Sequence, residues 1–269
     1  MGRPSGTPPS SWQRLPTLLA AAGLLLLAVG GWMALTQERI PNQDNPRIPP
    51  GKTMAGKVLW LRPLPQRPQA ILILASGYND RTGNLIRNPL WQNFAREHRL
   101  ALGEASFASP LDQLAPGKQG YYYPEHGSGK TLQDALQKEF GPPEDCPPLL
   151  LFGFSGGAIF LARFQAWTQY PVAAWCALAG GRFPTPRPTQ APALLLCGDE
   201  DERLPANRHF LQLCRKSGAK AQLQELHQCG HVMDYRSFEA AQLFFLRILQ
   251  ENPNSRKIPP ITPISLPFR

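Results

Sequence analysis

The segment Leu149–Ala162 constrains the fold of this chain more than any other. It reads LLLFGFSGGAIFLA, so an apolar run leads into Gly153-x-Ser155-x-Gly157 and a second apolar run follows. The first run predicts a strand buried on both faces, and the second predicts a helix. A strand-to-helix turn this tight excludes bulky side chains two positions either side of the serine. The pattern therefore predicts that the Ser155 hydroxyl projects from a sheet edge, at the positive end of a helix.

Strand and helix candidates alternate along the middle of the chain, and the strands are largely apolar. Strands are predicted over Lys57–Leu61, Ala70–Ala75, Leu100–Ser106, Leu149–Gly153, Val172–Leu178, Ala193–Cys197 and Lys220–Leu226. Helices are predicted over Pro89–His98, Lys130–Phe140, Gly156–Tyr170, Pro205–Ser217 and Tyr235–Gln250. This alternation predicts an α/β fold, a doubly wound and mostly parallel sheet with helices on both faces.

The two ends of the chain differ from its middle. Residues 16–35 are almost wholly apolar and uncharged, close to the length of ~20 residues that spans a bilayer as a helix. We expect residues 1–36 to be a membrane anchor or a cleaved export signal, which places the folded domain outside the cytoplasm. We expect residues 37–54 to form a linker and residues 55–251 to form the folded domain. The proline-rich residues 252–269 are expected to form an extended tail.

The net charge and the cysteine content limit which classes of partner and cofactor are expected. The net charge is +9, but the Lys and Arg residues are scattered and do not form the basic, aromatic-interleaved patch of a nucleic-acid reader. We therefore expect no nucleic-acid partner. The five cysteines show no metal-ligand spacing, so we expect neither a metal nor an organic cofactor, and an exported domain would allow one or two disulfides. The oligomeric state is left open.

A serine hydroxyl becomes a good nucleophile only when a base takes its proton. Among the five histidines, His231 follows Gly230 in the loop between the last strand and last helix candidates, which opens at the same sheet edge as Ser155, whereas its neighbour His227 falls at the strand end. A carboxylate must then orient the imidazole. Four acids follow the strand that ends at Cys197, namely Asp199, Glu200, Asp201 and Glu202, and position alone does not decide between them.

Acyl chemistry also requires two backbone N–H groups directed at the developing oxyanion. Gly156, directly after the serine, is one candidate donor, and Tyr78, in the Ser76–Asp80 loop after an early buried strand, is the other. The side chain of Asn79 and the tyrosines at 121 and 122 are candidates for lining the substrate pocket.

Together, the strand–GxSGG–helix segment, the Gly198-Asp-x-Asp201 stretch and the Gly230-His231 pair resemble the α/β-hydrolase superfamily across residues 57–250. The resemblance assigns the catalytic acid to Asp201, the second Asp of that stretch, with Asp199 as the alternative. The loop 179–192 is too short for the helical cap that many members insert, so the chain looks most like lid-less esterases related to polyhydroxybutyrate depolymerases and feruloyl esterases. Many relatives have His-Gly where this chain has Ser76-Gly77, so the match at that loop is partial.

The resemblance implies a serine hydrolase that cleaves a carboxylic ester, polymeric or aromatic, through a Ser155–His231–Asp201 triad and an acyl-enzyme. Two alternatives stay open at this point. A serine peptidase of the same fold would share the chemistry, and a membrane-tethered binding protein with an inactive site would share only the fold.

Overall fold

A single seven-stranded sheet organises the chain in the computed structural model, which describes Ile48 and residues 52–251. The strands are β1 (Ala55–Trp60), β2 (Ala70–Ala75), β3 (Leu100–Ala108), β4 (Leu149–Phe154), β5 (Val172–Leu178), β6 (Ala193–Gly198) and β7 (Ala221–Leu226). The predicted anchor over 16–35, most of the linker and the tail lie outside the described residues. No helix among the described residues is long and apolar enough to cross a membrane.

The strand order is β1-β3-β2-β4-β5-β6-β7, and every neighbouring pair is parallel except β1 with β3. The antiparallel β1 thus forms one edge, and β4, with the serine at its carboxyl end, lies in the middle. Because the parallel strands share one carboxyl edge, the loops after β2, β4, β5 and β6 open on the same side of the sheet.

Helices cover both faces of this sheet. They are α1 (Asn84–Arg87), α2 (Pro89–Glu97), α3 (Ser128–Phe140), α4 (Gly156–Trp167), α5 (Leu204–Ser217) and α6 (Tyr235–Glu251), with 3-10 turns at Leu111–Leu114 and Pro124–His126. Helices α3, α4 and α5 contribute to one apolar core, and α1, α2 and α6 to the other. Alternate residues of β2 divide between the two cores, because successive strand side chains point to opposite faces. The predicted doubly wound α/β fold is confirmed.

The ends of two helices follow from local sequence. Asn88 caps α2, since its side chain accepts a hydrogen bond from the Leu90 amide at 2.9 Å, and Pro89 supplies a first residue that needs no hydrogen-bond acceptor. Helix α5 ends where Gly218 adopts a left-handed φ of 77°, the conformation that glycine tolerates best.

All seven predicted strands and all five predicted helices are present, with ends shifted by at most three residues. The largest difference is α4, predicted to reach Tyr170, which ends at Trp167. Its cap residue Thr168 is extended, and the backbone runs through Pro171 into β5. The short α1 was not predicted, because its residues show too little periodicity to indicate a helix. Residues 179–192 between β5 and β6 contain no helix, so the expectation of no cap domain is confirmed there.

The turn between β4 and α4 brings backbones into unusually close approach. A methyl group built on Gly157 would lie 2.2 Å from the Ala75 carbonyl oxygen, and one on Gly153 would lie 2.6 Å from the Ala158 backbone. Helix α4 can therefore pack against the end of β2 only because these two positions lack a side chain.

We expect Gly157→Ala to lower the free energy of unfolding by about 1–3 kcal/mol, since the added methyl overlaps backbone atoms that cannot rotate away. Urea denaturation measures the loss. Gly230→Ala is the matched control, because a methyl there meets no atom within 4 Å and should leave stability nearly unchanged. Equal stability of the two variants would contradict this account of the turn.

Candidate active site

Ser155 stands at the turn itself, between the end of β4 and the first residue of α4. Its backbone has φ 52° and ψ −113°, a conformation that residues with a Cβ rarely adopt and that is common where strain serves a site. Its amide donates to the Leu178 carbonyl of β5 at 2.8 Å, and its carbonyl accepts from Ile159 in α4 at 3.2 Å. Hydrogen bonds to β5 and to α4 thus hold Ser155 in place.

The three predicted triad residues form one hydrogen-bonded series. Ser155 Oγ lies 3.0 Å from His231 Nε2, and His231 Nδ1 lies 2.8 Å from Asp201 Oδ2. The Asp201 side chain is fully buried, whereas that of His231 is 36 % exposed. A buried carboxylate facing Nδ1 favours the tautomer with its proton on that nitrogen, which leaves Nε2 free to accept the serine proton. The ring also packs against Phe154, with centroids 5.1 Å apart.

The alternative acid, Asp199, has a different partner. Its Oδ2 lies 2.8 Å from Nδ1 of His227, and its Oδ1 accepts from the Cys229 amide at 3.2 Å. The Cys229 amide, and then the His227 contact, hold the pKa of Asp199 below its usual value. This second acid–histidine pair is solvent-exposed, with the His227 side chain 82 % accessible. The geometry therefore places Asp201, and not Asp199, behind His231.

The loop after β2 is held from below by a buried carboxyl group. Glu104 on β3 has no exposed surface, and it accepts from Ser76 Oγ at 3.0 Å and from the Ile86 amide at 2.8 Å. Burial raises the pKa of Glu104, and these hydrogen bonds only partly offset that effect. Glu104 thus ties the Ser76–Gly77 turn to the sheet, a role that sequence reasoning missed because the residue lies inside an otherwise apolar strand.

The loop after β2 approaches Ser155 at Gly77, since a methyl group built on Gly77 would lie 3.8 Å from the Ser155 Cβ. The neighbouring Asn79 was predicted to line the pocket. It is instead buried, and its amide both donates to the Ser109 carbonyl at 3.0 Å and accepts from the Ser109 amide at 2.9 Å. Asn79 therefore braces the loop. The Tyr78 amide stays a predicted oxyanion donor.

Tyr121 and Tyr122, which were predicted to line the substrate pocket, are buried beside Gly156. A methyl group built on Gly156 would lie 2.6 Å from the Tyr121 hydroxyl and 2.8 Å from the Tyr122 hydroxyl. Burial raises the pKa of both hydroxyls, so both stay protonated at neutral pH. The third tyrosine of the run, Tyr123, points away and donates to the Ala115 carbonyl at 2.8 Å.

Arg203 is the functional-site residue that sequence reasoning missed. Its Nη1 lies 2.7 Å from Ser155 Oγ, 3.0 Å from the Ala179 carbonyl oxygen and 3.1 Å from His231 Nε2. The available signal is its position two residues after Asp201, directly after the run of acids from 199 to 202. The Asp201 carboxylate also fixes this segment, since its Oδ1 accepts from the Arg203 amide at 2.9 Å.

No group of three His, Cys, Asp or Glu side chains that could hold a metal ion occurs among the described residues. All five cysteines are buried free thiols, so the disulfides considered from the sequence are not formed. Burial raises the pKa of Cys146 and Cys214 to about 11 and that of Cys197 to about 12, which leaves them unreactive at neutral pH.

Comparison with known proteins identifies the fold. No family model and no curated protein matches the sequence. Among solved structures, esterase PE8 is 18 % identical, with a TM-score of 0.54 over 73 % of this chain and all of that one. A phospholipase/carboxylesterase from Dyadobacter fermentans is 12 % identical, with a TM-score of 0.52 over 72 % of this chain and 98 % of that one. A ferulic acid esterase is also 12 % identical, with a TM-score of 0.52 over 73 % and 99 %.

The chain has the α/β-hydrolase fold. The turn at Ser155 has the place in the sheet where that fold carries its nucleophile elbow, Asp201 follows β6 and His231 follows β7. The β5–β6 connection is the short loop 179–192, which contains no helix, so no cap domain is inserted between these two strands.

Glu104 generates a prediction about stability and pH. Its folded-state pKa is raised, so the native state holds a proton that the unfolded chain releases, and stability falls as pH rises from about 4.5 towards the raised pKa. Glu104→Gln cannot ionise and should flatten this fall, which urea denaturation across pH measures. Glu239→Gln, an exposed acid on α6, is the control. If the two variants had the same pH dependence as the parent chain, the buried proton would be refuted.

Proposed function

We propose that the chain is a serine hydrolase that cleaves carboxylic esters, with Ser155 as nucleophile, His231 as base and Asp201 as the acid that orients it. The observation that carries this proposal is the continuous series from Ser155 Oγ through both imidazole nitrogens to a fully buried carboxylate. Ser155 combines a strained backbone, a histidine nitrogen at 3.0 Å and a carboxylate behind that histidine, a combination that a serine without a chemical role does not require.

The proposed reaction has two steps. Ser155 Oγ attacks the ester carbonyl carbon while His231 Nε2 takes the hydroxyl proton, and the Gly156 and Tyr78 amides stabilise the oxyanion. The carbon–oxygen bond to the alcohol then breaks, and His231 returns the proton to the departing oxygen. Water, deprotonated by the same histidine, attacks the acyl-enzyme and releases the acid.

Three features support an ester substrate. The site is open where other hydrolases of this fold carry a cap, the hydroxyls of Tyr121 and Tyr122 flank the predicted oxyanion donor Gly156, and the similar solved structures include proteins titled esterase, carboxylesterase and ferulic acid esterase. A site without a cap over it suits a bulky, polymeric or aromatic ester.

Hydrolysis of a p-nitrophenyl ester series from acetate to palmitate, together with ethyl ferulate, tests the proposal. We expect turnover by the parent chain and none above background by Ser155→Ala, and the profile over the series separates short, long and aromatic acyl groups. If the folded chain turned over no ester, the peptidase or inactive-site alternatives would replace this proposal.

The choice of acid generates a second prediction. Asp201→Asn should lower kcat by about 10²–10⁴-fold, because an amide favours the wrong imidazole tautomer and cannot stabilise the imidazolium. Asp199→Asn, two residues away in the same loop, removes only the partner of His227 and should change kcat little. Equal losses in the two variants would exclude Asp201 as the orienting acid.

A further inference from the structure

Arg203 lies beside both the proposed nucleophile and the proposed base. One nitrogen, Nη1, lies within hydrogen-bond distance of both Ser155 Oγ, at 2.7 Å, and His231 Nε2, at 3.1 Å. The half-buried side chain reaches this point along Gly181 of the β5–β6 loop, where an added methyl would lie 3.3 Å from its Cδ. The contact is therefore built by the fold of two loops.

The position of Nη1 is the position that a leaving group must take. In acyl transfer the departing oxygen is bonded to the carbon that Ser155 attacks, and it must come within about 3 Å of His231 Nε2 to receive the proton. Nη1 of Arg203 lies 2.7 Å from Ser155 Oγ and 3.1 Å from His231 Nε2, so it competes with a departing oxygen for the same space and for the same imidazole nitrogen. An ester can therefore reach the reactive geometry only when the guanidinium has turned aside.

No acid of residues 52–251 lies within ion-pair distance of the Arg203 guanidinium. Its Nη1 contacts a hydroxyl, an imidazole and a carbonyl, and none of the ion pairs among the described residues includes it. The Asp201 carboxylate is used by His231 and by a backbone amide.

A second cation lies close by on the β5–β6 loop. Arg182 is exposed, and its Nη1 donates to the Leu114 carbonyl at 3.0 Å without an acid partner among the described residues. Both guanidinium groups lie close enough to the Tyr122 hydroxyl to lower its pKa against the larger effect of burial. Arg182 thus adds a second cation next to Gly181, against which Arg203 packs, and Tyr122 adds a neutral hydroxyl next to Gly156.

We propose that Arg203, with Arg182 and Tyr122 beside it, determines specificity by binding an anionic group on the alcohol part of the ester, and so selects esters whose leaving group carries a carboxylate or a phosphate. This inference rests on the proposed function. A guanidinium pairs with either anion through two parallel hydrogen bonds, and that pairing supplies the free energy that draws Nη1 out of the leaving-group position.

Three aryl acetates test the proposal: para-acetoxybenzoate, para-acetoxyphenyl phosphate and the uncharged methyl para-acetoxybenzoate. Each kcat/KM is divided by the rate of spontaneous hydrolysis, which removes differences in leaving-group reactivity. We expect the parent chain to prefer an anionic ester over the methyl ester by about tenfold or more, and Arg203→Ala to lose that preference. The faster of the two anionic esters identifies carboxylate or phosphate as the favoured group.

Arg208→Ala is the matched control, since Arg208 lies on the same helix but pairs with Glu225 through two hydrogen bonds, at 2.6 and 2.7 Å. It should keep the full preference. If Arg203 merely positioned Ser155 and His231, Arg203→Ala would slow all three esters alike, and an unchanged preference would overturn the proposal.

A binding measurement separates this proposal from the proposed activity. In the Ser155→Ala chain, calorimetry should show that para-acetamidobenzoate, an amide analogue, binds about tenfold or more tightly than its methyl ester, and that adding Arg203→Ala removes the difference. Equal affinity for the two analogues in Ser155→Ala would refute the anionic subsite, whether or not the parent chain hydrolyses esters. The preferential binding without any ester turnover would refute only the proposed reaction.

Discussion

The site depends on the close packing of α4 against the end of β2. Because Gly157 lies against the Ala75 carbonyl, the chain must leave β4 and enter the helix within one residue, and that residue takes a φ of 52°. The strain is supported by hydrogen bonds from Ser155 to β5 and to α4, so the serine hydroxyl has a fixed position above the sheet. The loops after β2, β6 and β7 then bring their residues to that point.

One negative and one positive side chain lie around this fixed hydroxyl. Asp201 is fully buried, yet one of its oxygens faces His231 and the other accepts a backbone amide, so its charge is well solvated by the protein. Arg203 contributes a positive charge on the opposite side of the imidazole, without an acid of its own. The imidazole of His231 therefore lies between the Asp201 carboxylate on one nitrogen and the Arg203 guanidinium on the other.

Much of this arrangement could be predicted from the sequence, because it follows from local patterns. The ends of β2 and β5 agree to the residue, and the Ser155 turn and His231 follow from an apolar strand, two glycines and a loop position. The acid could not be chosen from the residues, since Asp199 and Asp201 both follow β6 and each has a histidine partner. Only the path of the loop between β6 and α5 separates them.

Arg203 and Asn79 could not be placed for a related reason. The direction of a loop side chain depends on tertiary contacts, here with Ala179 for Arg203 and with Ser109 for Asn79, that leave no periodic trace in the sequence. Glu104 is similar, because its partners come from a loop and a helix start far along the chain. Residues that brace or adjust a site are thus harder to predict than the reacting groups they serve.

The central claim is that Ser155 is a nucleophile activated by His231. The most direct test is to treat the folded chain with a fluorophosphonate, which reacts with activated serines, and to map the adduct by mass spectrometry of peptides. We expect one adduct on Ser155 that disappears in His231→Ala. An unlabelled Ser155 in the folded chain, or equal labelling with and without His231, would contradict it.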